Sequence, residues 1–321
     1  MEKEALLQIK NLTIGLNNKP APAQIIKGVA FEVANGEIVG ILGESGSGKT
    51  MSASSIIGLN KDVAGLSIEG SIIYKGQDLL SLRDTDLNKI RGKEISYIFQ
   101  DPVGSLNPYR RVGKQIEEVL RAHGLKFTNA QVLQVMSDVG LDNAELIFDM
   151  YPFQLSGGLA QRVLIAMAIV CKPDLLIADE PISAIDASLQ KKVLGLLKDI
   201  NARYGTSIII ITHDFAVARY LCDKVVIMYS GLVMEQGSMQ QVLGSPRHPY
   251  TIELLKCVDS LAGNADTLYT LEGRAPNPLE AGSGCPFYER CKSKQEVCLQ
   301  SLPELVQVRE DHDVRCVQVS I

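Results

Sequence analysis

The sequence predicts an α/β fold with a mainly parallel sheet, on three observations. The continuous apolar run Ile38 to Leu42 leads through a glycine-rich loop into a helix, and such runs are typical of strands buried on both faces of a sheet. From Ser156 to Cys222, short apolar runs alternate with helical patterns, and this alternation indicates parallel strands with helices on the sheet faces. β-rich runs before the loop predict a smaller antiparallel β subdomain.

The elements follow from local patterns in chain order. Asn35-Gly36 separates two β-rich runs and predicts a hairpin turn that pairs them. Ser230-Gly231 predicts a second hairpin in the same way. We expect strands at 29–33, 37–42, 68–74, 94–99, 175–178, 207–211, 225–229 and 232–236. We expect helices at 49–58, 112–120, 130–139, 156–170, 187–203 and 215–222, from apolar residues at helical spacing.

Composition limits the possible functions. Hydrophobic residues make up 46% of the 321 residues, which allows a substantial core, and the formal net charge of −5 disfavours a nucleic-acid-binding role. The longest apolar runs are far shorter than the roughly 20 residues of a membrane-spanning helix. The first residues lack a basic stretch followed by an apolar core, so we expect no secretory signal.

Residues Gly43 to Thr50 fit the pattern G-x-x-x-x-G-K-[ST] between a strand and a helix, the context that supports a phosphate-binding loop over an ordinary glycine turn. Lys49 would neutralise the β and γ phosphates of a nucleotide, and the Thr50 hydroxyl would bind Mg²⁺. The remaining nucleotide contacts are expected from the backbone around Gly43, Ser45, Gly46 and Gly48.

Two carboxylates, Asp179 and Glu180, end the strand from 175. Ligands of open α/β sheets bind at this end of the strands, so Asp179 is a candidate Mg²⁺ ligand and Glu180 a candidate to orient the attacking water. The alternative is an acid pair that only favours the start of a helix. Gln100 and His213 follow other strands and are weaker candidates, for Mg²⁺ or water and for the γ-phosphate respectively.

A second helix begins at Leu155-Ser156-Gly157-Gly158, here called the signature. Its free backbone N–H groups are also suited to a phosphate. One nucleotide cannot easily use both helix ends of the same subunit. The pair therefore predicts a nucleotide held between two subunits.

In these motifs residues 5–255 resemble an ATP-binding-cassette (ABC) ATPase. The order of motifs matches the family: the loop at 43–50, Gln100, the signature with Gln161, the acids Asp179 and Glu180, the turn 183–186 and His213. The resemblance implies a P-loop ATPase core with a helical signature subdomain at about 101–165. It implies ATP and Mg²⁺ as ligands and cassettes that close head to tail, with Asp186 coupling the two half-sites.

Further motifs resemble the ATPase subunits of oligopeptide, dipeptide and nickel importers. These are Phe99 to Pro102, Ser105 to Pro108, Tyr151-Pro152, Arg247 to Thr251 and Gly284 to Cys291. The resemblance implies a second cassette subunit, commonly a paralogue, two membrane permease subunits contacted by residues 101–125, and indirectly an extracytoplasmic solute-binding protein. It implies a peripheral position on the cytoplasmic face of the membrane and import of peptides or, alternatively, of nickel or a metal chelate.

We expect residues 1–255 to form the ATPase domain and residues 256–321 an irregular C-terminal extension, with a linker at about 273–286. Four of the seven cysteines cluster there: Cys285, Cys291, Cys298 and Cys316. No close pair of the kind typical of zinc sites is present, whereas an iron–sulfur cluster tolerates varied spacing. The resemblance also points to a 4Fe–4S cluster; zinc and no metal are the alternatives.

Two other classes remain as alternatives to a transporter ATPase. A soluble ABC ATPase of DNA or ribosome processes usually has coiled-coil inserts, paired cassettes or basic patches, none of which this sequence suggests. A non-hydrolysing regulatory module is disfavoured because Lys49, Asp179, Glu180 and His213 are all in place.

Overall fold

The computed structural model describes residues 5–17, 23–183, 185–261, 269–277 and 282–319. Ala184, in the predicted turn 183–186, and parts of the predicted linker and extension lie outside these residues. The strands are β1 Ala5–Leu16, β2 Ala23–Ala34, β3 Ile38–Leu42, β4 Leu66–Tyr74, β5 Gln77–Asp78, β6 Ile95–Ile98, β7 Leu175–Asp179, β8 Ser207–Thr212, β9 Lys224–Tyr229, β10 Leu232–Ser238, β11 Val306–Arg309 and β12 His312–Val314. The helices are α1 Lys49–Ile56, α2 Asp84–Ile90, α3 Val112–Ala122, α4 Asn129–Asp138, α5 Ala144–Phe148, α6 Gly157–Ile169, α7 Ala187–Tyr204, α8 Phe215–Leu221, α9 Met239–Gly244, α10 Pro249–Leu261 and α11 Val297–Gln300.

The chain forms two compact units. One, here called the signature unit, contains Ala34–Ile38 and Leu82–Ile211. The other, the loop unit, contains the described residues of Glu4–Val33, Val39–Ser81 and Thr212–Ile321. The predicted boundary between 255 and 256 is not tested by this division and stays a prediction.

In the signature unit, β6, β7 and β8 are neighbours and pair in parallel. Every residue of β7 and β8 is buried, as the continuous apolar runs predict. Helices α3 to α6 occupy the predicted helical region. Thr128 begins α4 with a capping box, in which its hydroxyl accepts from the Gln131 N–H while the Gln131 side chain accepts from Thr128 N–H; this satisfies two free amides.

In the loop unit, one sheet is antiparallel with the order β2-β1-β4-β5, which confirms the antiparallel β subdomain. A second set joins β3 in parallel to β9, and β9 to β10 in an antiparallel hairpin across Ser230-Gly231, as predicted. Ser230 has φ 48° and Gly231 φ 82°, the left-handed pair of a tight hairpin turn.

The predicted hairpin at Asn35-Gly36 is wrong. The turn exists, but β2 belongs to the antiparallel sheet whereas β3 pairs with β9. The turn signal fixes a local reversal of the chain. The sheet that each strand joins is decided by tertiary pairing, which the dipeptide does not encode.

The C-terminal part of the chain, whose residues from 256 onward are predicted to be irregular, is more regular than the sequence predicts. It contains the 13-residue helix α10, and β12 pairs with β10 and with β11 in antiparallel fashion. The extension therefore adds strands to the β9–β10 hairpin. Among the described residues, no helix is both long enough and apolar enough to cross a bilayer.

Candidate functional site

The glycine-rich loop of the loop unit has the backbone of a phosphate cradle. The backbone φ values of Gly43, Gly46 and Gly48 are 150°, 79° and 98°, and residues other than glycine rarely adopt such values. At Gly43 a Cβ would lie 2.1 Å from the Met228 carbonyl oxygen, so the loop fits against β9 only without a side chain. Ser45 and Gly46 are exposed at the turn. The local geometry matches what the motif predicts.

Lys49 lies at the start of α1 and its side chain closes the loop on itself. Its Nζ donates to the carbonyl oxygens of Gly43 at 2.8 Å and Glu44 at 2.9 Å, and only 7% of the residue is exposed. Ser47 is also buried, and its hydroxyl has no hydrogen-bond partner within the described part of the chain. A buried polar atom without a partner is rare, so this hydroxyl fits a site that receives a polar ligand. Thr50 is exposed next to them.

In the signature unit, the carboxyl end of β7 carries Asp179 and Glu180. Asp179 is 3% exposed, and the Tyr97 hydroxyl donates to its Oδ2 at 2.9 Å. Burial, and then the charge of Asp179, raises the pKa of Tyr97 well above its ordinary value, so the phenol stays protonated as a donor. A buried carboxylate with one oriented oxygen is a suitable ligand for a hard cation such as Mg²⁺.

Glu180 has a left-handed backbone, with φ 49°. Its N–H donates to the Ile211 carbonyl at 2.9 Å, which holds this conformation next to β8. Non-glycine residues with positive φ are uncommon and concentrate at functional sites. The sequence does not predict this backbone strain or the contact between Tyr97 and Asp179. The one sequence signal for Tyr97 is its position on the strand next to β7, two residues before Phe99.

Gln100, Asp186 and His213 are all exposed. Asp186 precedes α7 and its Oδ1 accepts from the Leu189 N–H at 3.1 Å, which caps the helix. The structure thus gives Asp186 a structural role, and its predicted coupling role stays a prediction. Gln100 follows β6 and His213 follows β8, as predicted.

The signature forms an exposed helix N-terminus. Ser156 is the N-cap of α6, and its hydroxyl accepts from the Leu159 N–H at 3.4 Å. Ser156 and Gly157 are exposed, whereas Gly158 is buried. The Leu189 side chain packs closely on Gly158, and a Cβ at this position would lie 2.5 Å from Leu189 Cδ1. Gln161 is 1% exposed, and among the residues that the structure describes its side-chain nitrogen has no hydrogen-bond partner. Its side chain therefore lies in the interior, unlike that of Ser156.

The four tail cysteines converge. Cys285, Cys291, Cys298 and Cys316 line one cavity of about 20 Å³. Burial, with smaller contributions from the other three thiols, raises the pKa of Cys285 to about 11. Among the described residues, however, no group of three or more His, Cys, Asp or Glu has the arrangement of a metal site. The predicted cluster therefore stays a prediction.

The sequence matches two family models. The model described as "ABC transporter" matches residues 26–183, and the model described as "Oligopeptide/dipeptide transporter, C-terminal region" matches residues 234–298. Together they include both predicted phosphate-binding motifs, both acids and three of the four tail cysteines.

Similar proteins are bacterial transport proteins. The chain is 41% identical over 303 residues to the oligopeptide transport ATP-binding protein OppD of Haemophilus influenzae, covering 94% of this chain and 93% of the relative. It is 40% identical to AppD of Bacillus subtilis, an oligopeptide transport ATP-binding protein, over 97% and 96% of the two chains. Among solved structures, a dimeric ATP-binding cassette, MJ0796, bound to ADP and Pi matches with TM-score 0.65 and 28% identity, covering 73% of this chain and 98% of that one.

Proposed function

The chain belongs to the ABC transporter family of ATPases, and from that premise we propose that it hydrolyses MgATP to power a membrane importer of peptides. The observation that carries the proposal is full-length similarity: the OppD and AppD relatives align over 94% and 97% of this chain. The match of residues 234–298 to the C-terminal region of oligopeptide and dipeptide transporters favours peptides over nickel or a metal chelate. The net charge of −5 disfavours a DNA or ribosome ATPase.

Each motif residue has one proposed role. Lys49 leaves the carbonyl oxygens of Gly43 and Glu44 and neutralises the β and γ phosphates, while Glu180 orients the attacking water. His213 contacts the γ-phosphate. Thr50, Asp179 and Gln100 are the candidate Mg²⁺ ligands, and the cation would supply charge neutralisation at the phosphates. Transfer to water needs positioning and electrostatic stabilisation and little other chemistry.

Replacing Glu180 by Gln tests the assignment of the water-orienting carboxylate. We expect Glu180→Gln to bind MgATP within about threefold of wild type while hydrolysis falls by at least about 100-fold, since general-base contributions are typically 10²–10⁴. Binding is measured by calorimetry and hydrolysis by phosphate release. The matched control is Glu145→Gln, which changes a carboxylate in α5 outside the proposed site. Near-normal turnover of the Glu180 variant would refute the role.

We further propose that the protein works at the cytoplasmic face of a membrane, with a second cassette, two permease subunits and, indirectly, a solute-binding protein. Residues 101–125 supply support, because Val103 and Tyr109 are 50% and 89% exposed and are therefore accessible to a partner. Co-purification of the assembled complex tests this. Val103→Glu is expected to release the permease subunits, and Val63→Glu, at a 47% exposed residue elsewhere, is expected to retain them.

For the tail we propose a 4Fe–4S cluster held by Cys285, Cys291, Cys298 and Cys316, which share one cavity. The donor set fits, because four thiols suit iron–sulfur ligation. The cavity has room for about one water, so cluster binding requires the thiols to move apart, and a single Zn²⁺ is the competing occupant. Anaerobically purified protein should be brown and contain about four irons, and Cys298→Ser should lose both the colour and thermal stability. A colourless, zinc-loaded protein would overturn the cluster.

A further inference from the structure

The C-terminal extension contacts the second residue of the phosphate loop. Arg290 Nη1 donates to both carboxylate oxygens of Glu44, at 2.9 and 3.0 Å, and to the Tyr229 hydroxyl at 3.1 Å. The Arg290 side chain is 7% exposed and that of Glu44 27%. This ion pair is therefore much less accessible to water than a surface pair, and Coulomb interactions are correspondingly stronger.

Arg290 is itself held in place by a backbone carbonyl and an aromatic ring. Its Nε donates to the Glu272 carbonyl at 2.9 Å, and its guanidinium lies 5.8 Å from the centre of the Tyr229 ring. A planar guanidinium with several fixed partners loses little further freedom when it binds a carboxylate. The arginine is thus oriented toward Glu44 by contacts outside the loop.

The same residue of the loop is also held through its backbone. The Glu44 N–H donates to the Tyr250 hydroxyl at 3.1 Å, and Tyr250 is fully buried. Phe287 packs on the Tyr250 and Tyr229 rings at centroid distances of 5.3 and 5.5 Å. The motifs around Tyr250 and Phe287, which the catalytic assignments leave unexplained, therefore form one aromatic support beneath Glu44.

Glu44 has two connections with nucleotide binding. Its carbonyl oxygen accepts a hydrogen bond from Lys49 Nζ, so a shift of Glu44 shifts the position of that lysine. Its carboxylate is a negative charge on a loop that must accept a triphosphate. Like charges at short range oppose binding, and a preorganised loop loses less entropy when it binds.

We propose that Arg290 is a positioning residue for the nucleotide: it neutralises Glu44 and fixes the phosphate loop, so that the C-terminal extension sets the affinity of the loop for triphosphates. The proposal rests on the nucleotide-binding role of the loop. It gives the extension a function in the ATPase cycle that does not depend on whether its cysteines hold a metal.

The test is nucleotide binding by the full-length protein, measured by calorimetry with MgATP, MgADP and adenosine. Arg290→Ala is expected to weaken MgATP binding at least fivefold, MgADP binding less, and adenosine binding least, because the uncovered charge acts on phosphates. The double variant Arg290→Ala/Glu44→Gln is expected to recover most of the MgATP affinity, even where its melting temperature stays below that of wild type. Arg309→Ala, at an exposed arginine of β11, is the matched control and should bind like wild type.

Rescue by Glu44→Gln separates an electrostatic role from a purely structural one. If the arginine variant lost affinity only through lost packing, removal of the Glu44 charge would not restore it. Arg290→Gln is measured in parallel, since it keeps a side chain of similar length should the alanine variant not fold, and the same order of affinities is expected. MgATP affinity within twofold of wild type in the single variants, or a double variant no tighter than its arginine parent, would overturn the proposal. Lys49→Ala is the separate check on the loop: unchanged binding there would remove the proposed nucleotide site itself.

Discussion

At the scale of single residues, polar groups around the candidate site are held by partners that the sequence does not reveal. Tyr97 orients one oxygen of Asp179, and Arg290 pairs with Glu44 although 246 positions separate them. The motif residues themselves are predictable because each motif is local and its backbone demands are specific, as at Gly43 and Gly48. Their supporting residues are not, because they come from distant segments that only folding brings near.

The Tyr97 hydroxyl provides a test of support for Asp179. In Tyr97→Phe the buried carboxylate loses one donor, which should lower the free energy of unfolding by about 1 kcal/mol. Without this donor the carboxylate should also reorient, so we expect a several-fold higher Mg²⁺ concentration for half-maximal ATP hydrolysis, with kcat at saturating Mg²⁺ little changed. Tyr220→Phe, at a tyrosine that is 52% exposed, is the control. An unchanged Mg²⁺ requirement would contradict a positioning role.

At the scale of elements, long periodic segments were predictable and short or tertiary-dependent ones were not. Helices α3, α4, α6 and α7 follow from apolar spacing, and β7 and β8 from continuous apolar runs. The helix α10 was missed although its start is specified locally: His248 precedes Pro249, and its Nδ1 accepts from the Tyr250 N–H at 3.0 Å. Histidine is an unusual residue at a helix N-cap. Proline at the first helical position is the only conventional signal for the start of this helix.

A buried network attaches this helix to β10 and to the extension. Glu235 of β10 is fully buried and accepts from the Arg247 and His248 N–H groups at 2.7 and 3.0 Å. Its Oε1 lies 2.7 Å from Nε2 of His312 in β12. One carboxylate therefore joins three segments, and removal of any partner would leave a buried polar group unsatisfied.

His248 gives the helix start a pH dependence. Burial, opposed by the charge of Glu235, lowers the pKa of His248 to about 4, below its ordinary value near 6.5. The unfolded chain therefore binds a proton on this residue below pH 6.5 and the folded protein only near pH 4. The free energy of unfolding should fall by about 1.4 kcal/mol per pH unit as pH drops through this window.

His248→Asn tests this, since the asparagine oxygen can replace Nδ1 as acceptor for the Tyr250 N–H but does not titrate. We expect a shallower decline of the free energy of unfolding between pH 6.5 and 4, measured by urea denaturation at several pH values. His123→Asn serves as the control, because His123 is only partly buried and should alter the slope much less. Equal slopes for wild type and the His248 variant would refute a buried imidazole that stays neutral.

At the scale of the whole molecule, the two helix ends that are predicted to bind phosphate belong to different compact units. The loop lies in the loop unit and the signature in the signature unit. Sequence motifs predicted both ends, and the described geometry of each agrees: glycines with positive φ at the loop and an exposed N-cap serine at the signature. The contact between the loop and the extension was not predictable. Arg290 and Phe287 belong to no phosphate-binding motif, and they reach the loop only through Glu44 and the aromatic rings that support it.

The two sequence motifs, at 43–50 and 155–158, predict that Ser156 acts on a nucleotide bound by another cassette. Replacing this exposed serine by arginine leaves the loop unit unchanged, so Ser156→Arg should bind MgATP on the single chain as wild type does. In the Glu180→Gln background, where ATP is not consumed, it should abolish the ATP-dependent association with the partner cassette that light scattering detects. Ser137→Arg, on the exposed surface of α4 in the same unit, should leave association intact. Because a helix N-terminus binds phosphate through amides that a bulky cation would cover, association that survives in the Ser156 variant would mean that the signature does not close on the triphosphate.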